Sequence, residues 1–331
     1  MKVPILPALA ALFVAVLAPS ATGAPGRPAL SFPLACDVGR TCEIQHYVDR
    51  EPGPGTRDYR CGPQTYEKHT GLDIRVPDMA AQRRGVNVLA AAAGTVTRLR
   101  DGEPDISIRA PGAPSVANKE CGNAVVVDHG NGWETQYCHL ARDSLIVKQG
   151  DKVVAGAPLA RVGLSGNTEF PHLHLTVRNA GQIVDPFAPD MSNPKACAAQ
   201  AGLWTAEAKA RMTYRAGVVL NAGFTDAQIT MADVENGGLR AATPASPLLV
   251  AYVRAIALLP GDSVELDLKG PDGVSLARTR GEPLQRWRAQ DFVLVGKRRP
   301  PTGWRQGLYV ADYKVWRGGR VAISRRLEIR L

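Results

Sequence analysis

The chain has 331 residues, enough for one large domain or two ordinary ones, and 45% of them are hydrophobic, enough for a full core. Its 40 Lys and Arg against 31 Asp and Glu give a net charge of +9, which favours an anionic partner or surface. The basic residues are scattered and no nucleic-acid motif accompanies them, so a nucleic-acid-binding protein is set aside.

Met1 and Lys2 open an apolar run from Val3 to Leu17, followed by Ser20-Ala21-Thr22-Gly23-Ala24. A charged start, an apolar centre and a small-residue cleavage zone predict a secretory signal over residues 1–24, cut after Gly23 or Ala24. The run falls short of the roughly 20 residues that a membrane span needs. No Cys follows it closely enough for a lipid anchor, and no later segment is apolar enough to span. The predicted location is the periplasm or outside the cell.

Six cysteines, all before residue 200, fit an oxidising compartment. Residues 123–128 and 134–140 read as two strands around the turn His129-Gly130-Asn131-Gly132, which brings Cys121 beside Cys138. That bridge is expected. Of the 15 connectivities that six cysteines allow, Cys36 with Cys42 across Gly39, leaving Cys61 with Cys197, is one completion. His129 falls in the turn and is expected to be exposed.

Residues 25–64 read as an irregular segment, interrupted by Pro52-Gly53-Pro54-Gly55, with a possible first strand over residues 42–48. His46 within it is taken as a surface or packing residue. Next comes His69-Thr70-Gly71-Leu72-Asp73-Ile74-Arg75-Val76-Pro77. In a straight strand His69 and Asp73 would lie about 13 Å apart, too far to share an ion. Gly71, Ile74, Val76 and Pro77 argue against a helix. The remaining possibility is a loop carrying His69, bent at Gly71, with Asp73 starting a strand. Residues 85–164 hold many short strand candidates, among them 86–89, 144–147 and 156–163, separated by Gly turns. The proline-bearing stretch 101–119 is expected as a loop at a site rim, and 163–171 as a flexible, substrate-facing lead.

The lead ends in Phe170-Pro171-His172-Leu173-His174-Leu175-Thr176-Val177. Side chains alternate along a strand, so His172 and His174 look into one space while Leu173 and Leu175 face the other. Two imidazoles on a stiff element make half of a metal site. In Tyr137-Cys138-His139-Leu140, Cys138 and His139 point oppositely, so Cys138 is no partner for a metal beside His139.

In order, His69-x-x-x-Asp73, Tyr137-x-His139-Leu140 and Pro171-His172-Leu173-His174 resemble the motifs of the lysostaphin-type (LytM-like) zinc metallopeptidases, which cut peptide bonds of bacterial peptidoglycan. The resemblance spans roughly residues 65–190 and includes Val126-x-Asp128-His129-Gly130, Gly150-Asp151-x-Val153 and the stretch 163–166. Leu175 stands where the family commonly has an aromatic residue. The resemblance implies one zinc ion per chain held by His69, Asp73 and His174, with His139 and His172 as non-ligand catalytic residues. Three ligands leave a position for water, whose pKa zinc lowers toward ~7. One histidine would move the water proton and the other would steady the oxyanion. The implied fold is all-β, a lysostaphin-type β-sandwich or barrel-sandwich hybrid over residues 65–195.

After Cys197 the texture changes. Residues 205–212 suggest a short helix, and from Gly217 period-two strands dominate, as in Val264, Leu266 and Leu268 alternating with Glu265 and Asp267. An immunoglobulin-like β-sandwich is expected over residues 205–331. It holds no His or Cys, so no catalytic or zinc role is expected of it, though it could carry a protein partner. Lys297-Arg298-Arg299 and Arg325-Arg326 read as solvated faces.

The expected function is that of a secreted zinc metalloendopeptidase acting on stem or cross-link peptides. The alternative is a non-catalytic wall-binding module or an activator of another wall hydrolase. A biotinyl- or lipoyl-type carrier, suggested by Gly150-Asp151-Lys152-Val153, is disfavoured by the signal and by the lack of a Met-Lys-Met-like site. A zinc protease of Gly-rich proteins stays open.

Overall fold

The computed structural model describes residues 26–197 and 201–331, so the expected signal segment lies outside the described residues. The first half contains β1 (Glu43–His46), β2 (Leu72–Arg75), helix α1 (Met79–Arg84), β3 (Asn87–Leu89), β4 (Gly94–Arg100), β5 (Asn123–Gly130) and β6 (Trp133–Leu140). It continues with β7 (Lys152–Val153), β8 (Pro158–Arg161), β9 (His172–Asn179) and β10 (Gln182–Ile183). Eight of these strands form one antiparallel sheet in the order β1-β2-β9-β6-β5-β4-β7, with β10 beside β9, and β3 pairs with β8 apart from it.

β9 lies inside the sheet, and its Leu173, Leu175 and Val177 are buried in the core with Val125, Val127, Tyr137 and Ile74. The opposite parity of the same strand carries His172 and His174. β-branched and aliphatic residues on one face therefore fix the register that puts both imidazoles on the other. Residues 144–147 form a connection and not the expected strand, and Ile146 is exposed there. The β5–β6 turn is Asn131-Gly132, so His129 sits on β5, half-buried. Its ring bonds to the Ala93 carbonyl and the Thr135 hydroxyl, which corrects the expected exposure.

The second half holds α2 (Ala206–Arg211), β11 (Val218–Thr225), α3 (Met231–Asn236), β12 (Leu248–Leu258) and β13 (Ser263–Lys269). It ends with β14 (Ser275–Arg280), β15 (Arg288–Arg298), β16 (Leu308–Arg317) and β17 (Arg320–Arg330). Two antiparallel sheets, β11-β12-β15 and β14-β13-β16-β17, enclose a core that includes Leu249, Val253, Leu266, Leu268, Tyr313 and Val315. The described residues are all-β apart from three short helices. Among the described residues no helix is long and apolar enough to cross a membrane. All three expected disulfides, Cys36–Cys42, Cys61–Cys197 and Cys121–Cys138, are formed.

The halves meet through buried polar contacts. Glu235 on α3 accepts from Arg75 of β2 at 2.8 Å and from Arg254 of β12 at 2.5 Å, and both arginine side chains are wholly buried. Arg254 also donates to the Pro77 carbonyl. Gln45 donates to the Ala289 carbonyl at 2.8 Å, and Arg215 pairs with Glu43 at 2.7 Å.

Candidate metal centre

Asp73 is the hub. β2 pairs with β9 so that Asp73 stands directly across from His174 and Arg75 across from His172. His69 comes from the loop before β2 and the chain bends at Gly71, as the sequence suggests, but the need for glycine there has another cause. Its φ is outside the left-handed region. A Cβ there would lie 2.6 Å from His174 Nε2 and 2.7 Å from the Leu175 carbonyl oxygen. Glycine is required because the loop presses against β9.

His69 Nε2, Asp73 Oδ1 and His174 Nδ1 form a triangle with sides of 3.1, 3.1 and 2.8 Å. A tetrahedral ion with bonds near 2.05 Å would separate its ligands by about 3.3 Å, so the three atoms fit one zinc-sized ion. The outer hydrogen bonds agree. His69 Nδ1 donates to the Tyr47 carbonyl at 2.6 Å and His174 Nε2 donates to the Thr176 hydroxyl at 3.0 Å. Each bond places the ring proton on the outer nitrogen and leaves the inner lone pair for a cation.

His139 and His172 close the cluster, with ring centroids 4.7 Å apart. His139 Nδ1 donates to the Ser165 carbonyl at 2.7 Å, and His172 Nδ1 to the Phe170 carbonyl at 2.9 Å. His172 Nε2 lies 3.5 Å from Asp73 Oδ1. His139 has φ of 60°, a left-handed backbone that non-glycine residues seldom adopt and that recurs at functional sites. Its amide donates to the Cys121 carbonyl at 2.8 Å, and Cys121 is bridged to Cys138, so the disulfide helps hold the conformation. Residues 163–168, expected to face substrate, mostly face inward. Ser165 and Thr168 are buried, Ser165 Oγ donates to the Leu140 carbonyl at 2.7 Å, and only Asn167 is exposed.

His46 corrects the sequence reading. It is buried, and its Nδ1 donates to Asp73 Oδ2 at 2.9 Å, the oxygen that the triangle leaves over. The only available signal was its place on β1, whose pairing with β2 sets His46 beside Asp73.

Burial tends to raise the Asp73 carboxyl, but His69, His172 and His174 outweigh it and hold it well below the usual carboxylate range. Burial, reinforced by the neighbouring His172 and His174, pushes His139 well below the ordinary histidine value. Burial also lowers His174 and His46. His69 is raised, because the Asp73 charge outweighs burial. The site opens into a groove of about 220 Å³ lined by Tyr66, Thr70, His139, Asn167, His174 and Arg178.

An antiparallel sheet bearing a convergent His/Asp/His set with two further histidines is the arrangement that the resemblance to lysostaphin-type metallopeptidases leads one to expect. Residues 67–186 match the model of peptidase family M23. Over 152 residues, 45% of this chain, the sequence is 32% identical to the DD-carboxypeptidase/endopeptidase Mpg of Neisseria meningitidis serogroup B, covering 29% of that protein. Over 67 residues, 19% of this chain, it is 45% identical to the peptidoglycan DD-endopeptidase ShyA of Vibrio cholerae, covering 14% of it. The crystal structure of a zinc-containing peptidase from Vibrio cholerae aligns over 48% of this chain and 39% of its own, with a TM-score of 0.33 and 23% identity. The chain thus spans less than a third of the length of these two curated relatives.

Proposed function

We propose that the chain is an exported zinc metalloendopeptidase that hydrolyses peptide bonds of bacterial peptidoglycan. The observation that carries the reading is the convergence of His69 Nε2, Asp73 Oδ1 and His174 Nδ1 at one edge of an open groove. The family that residues 67–186 match and the names of the relatives support the substrate class. Three disulfides suit an oxidising compartment such as the periplasm.

His69, Asp73 and His174 hold the ion, and His46 holds the second carboxylate oxygen of Asp73. A zinc ion held there would supply Lewis-acid polarisation of the peptide carbonyl and an acidified water with pKa toward ~7. His139, kept neutral at neutral pH by its lowered pKa, offers Nε2 as a proton acceptor while Ser165 fixes its Nδ1–H. The proton taken at Nε2 passes to the leaving amine. His172 faces the same site with Nε2 3.5 Å from Asp73 Oδ1; because the Phe170 carbonyl takes its Nδ1–H, donation from Nε2 to the developing oxyanion requires its imidazolium form.

The test is muropeptide analysis of purified sacculi incubated with the mature chain, with and without a chelator. Loss of cross-linked dimers, prevented by chelation, is the expected result. An unchanged muropeptide profile from zinc-loaded protein would sink the proposal.

A further inference from the structure

β1 carries an extra residue where it meets the metal centre. Ile44 pairs with Ile74 but His46 pairs with Asp73, so the ladder shifts at Gln45. In an unbroken antiparallel ladder Gln45 would stand across from Asp73, and His46 across from Leu72 on the core face. The bulge therefore brings His46 to Asp73, a re-aiming of a side chain that bulges commonly perform. His46 Nδ1 then donates to Asp73 Oδ2 at 2.9 Å.

The second half grips this bulge at two points. The buried Gln45 side chain donates to the Ala289 carbonyl at 2.8 Å and accepts from Arg75 at 3.1 Å, and Arg75 also donates to Gln290 Oε1 at 3.0 Å. Trp287, the residue before β15, holds its ring 6.0 Å from that of His46. Tyr66 and Phe170 of the first half stand 5.2 and 6.5 Å from the same imidazole. All three distances fall in the ~4.5–7 Å range of favourable ring contacts. The Trp287 Nε1 is buried without a hydrogen-bond partner among the described residues. A buried unpaired donor is a cost, so the contact uses the ring and not the N–H.

We propose that residues 287–290 of the second half are positioning elements of the metal centre, which hold the Gln45 bulge and the His46 ring and, through them, the Asp73 carboxylate. The proposal rests on the metal-binding reading of the triangle and extends it to a half of the chain that contributes no ligand. With Oδ2 taken by His46, Oδ1 is left facing His69 Nε2 and His174 Nδ1. Partners behind a ligand fix its geometry before the cation arrives, and losing one commonly weakens binding ~10–100-fold. Without Trp287 the His46 ring gains room to turn, and water gains access to its bond with Asp73.

The experiment measures the zinc dissociation constant of the full mature chain by competition with a chromophoric chelator, alongside stability in denaturant. Trp287→Ala and Gln45→Ala should each weaken zinc binding about tenfold. Trp287→Phe keeps an aromatic ring and drops the unpartnered N–H, so it should stay within about threefold of the parent. Val253→Ala, a truncation in the core of the second half, should lower stability and leave zinc affinity unchanged. If Trp287→Ala fails to fold, Gln45→Ala decides. Zinc affinity within about threefold of the parent in the alanine variants at 287 and 45, or an equal weakening in Val253→Ala, overturns the proposal. Digestion of sacculi by the parent chain is scored separately. Weakened zinc binding in the variants of a chain that digests nothing keeps the positioning role and removes the hydrolase reading, and digestion with unchanged zinc affinity in the variants does the reverse. A parent chain that binds no zinc removes both.

Discussion

Both halves of the chain are antiparallel β structure, and both pair buried carboxylates with cations, as Glu43 with Arg215 and Asp185 with Arg50 in the first; Asp73 is the exception, and the second half shows the contrast. In the second half each one meets a neighbouring cation or hydroxyl. Asp262 takes Arg317 at 2.7 Å, Glu265 takes Arg278 at 2.9 Å, Asp291 takes Arg288 at 2.6 Å and Asp267 takes the Ser275 hydroxyl at 2.6 Å. These cations reach in from partly exposed positions and settle the charge on the spot. In the first half Asp73 is wholly surrounded by imidazoles, with His46, His69, His172 and His174 all within 3.5 Å. No Lys or Arg ion-pairs with it among the described residues. A carboxylate paired by a fixed cation is structural, whereas one ringed by groups that can shed their protons leaves room for a metal ion.

The sharpest way to break this contrast is Asp73→Ala. It removes a ligand and the partner of His46 together, so bound zinc and muropeptide release should both fall below detection while the disulfides still form. Metal content by elemental analysis and chromatography of digested sacculi check it. If the variant retains a full equivalent of zinc, the triangle is not the metal site. Next in size is His139→Ala, which should lower kcat by about 10²- to 10⁴-fold while zinc content stays unchanged. A matching loss of metal would make His139 a ligand instead.

The contact between halves gives a third test. Glu235→Ala leaves Arg75 and Arg254 buried without their shared carboxylate, and breaking such a set costs about 3–5 kcal/mol. Denaturant titration should show this loss. Unchanged stability would mean that the halves are held by other contacts. The smallest effect concerns Glu43, whose carboxyl is pushed up to about 7 by burial despite Arg215. The folded chain then keeps a proton that the unfolded chain releases near 4.5, so this group makes stability fall as pH rises from 4.5 to 7. Glu43→Gln should flatten that slope and raise Tm above pH 7 by about 2–4 °C. A Tm–pH curve parallel to that of the parent would refute the assignment.

Much of the centre was legible because period two is a rigid rule. Once residues 172–177 were read as a strand, His172 and His174 had to share a face, with Leu173 and Leu175 in the core. The distance argument for His69 and Asp73 was legible too, since neither helix nor strand could join them and a loop remained. The bend assigned to Gly71 was correct in place and wrong in cause, because the close approach of β9 cannot be seen in a local sequence. His46 reads as a surface or packing residue in the sequence because its bond to Asp73 forms only when β1 pairs with β2, a contact made across 27 residues. The left-handed backbone of His139 was likewise hidden, since it depends on Cys121 and Ser165 arriving from two other segments.

The second half shows the same limit from the other side. Without histidine or cysteine it offered nothing that marks chemistry, and its alternating strands indicated only a sandwich. Its position against Arg75 and Phe170 comes from Glu235, Gln290 and Arg254, each an ordinary surface-type residue in the linear chain. The sequence by itself determined the strand periodicity, the Cys121–Cys138 partnership and the residue types gathered for a metal, because these depend on local spacing and on side-chain chemistry. Only the tertiary structure decided which nitrogens of His69 and His174 turn toward Asp73, which residue holds Asp73 from behind and where the second half meets the first. Those outcomes depend on long-range strand pairing and on hydrogen bonds between segments that no local pattern encodes.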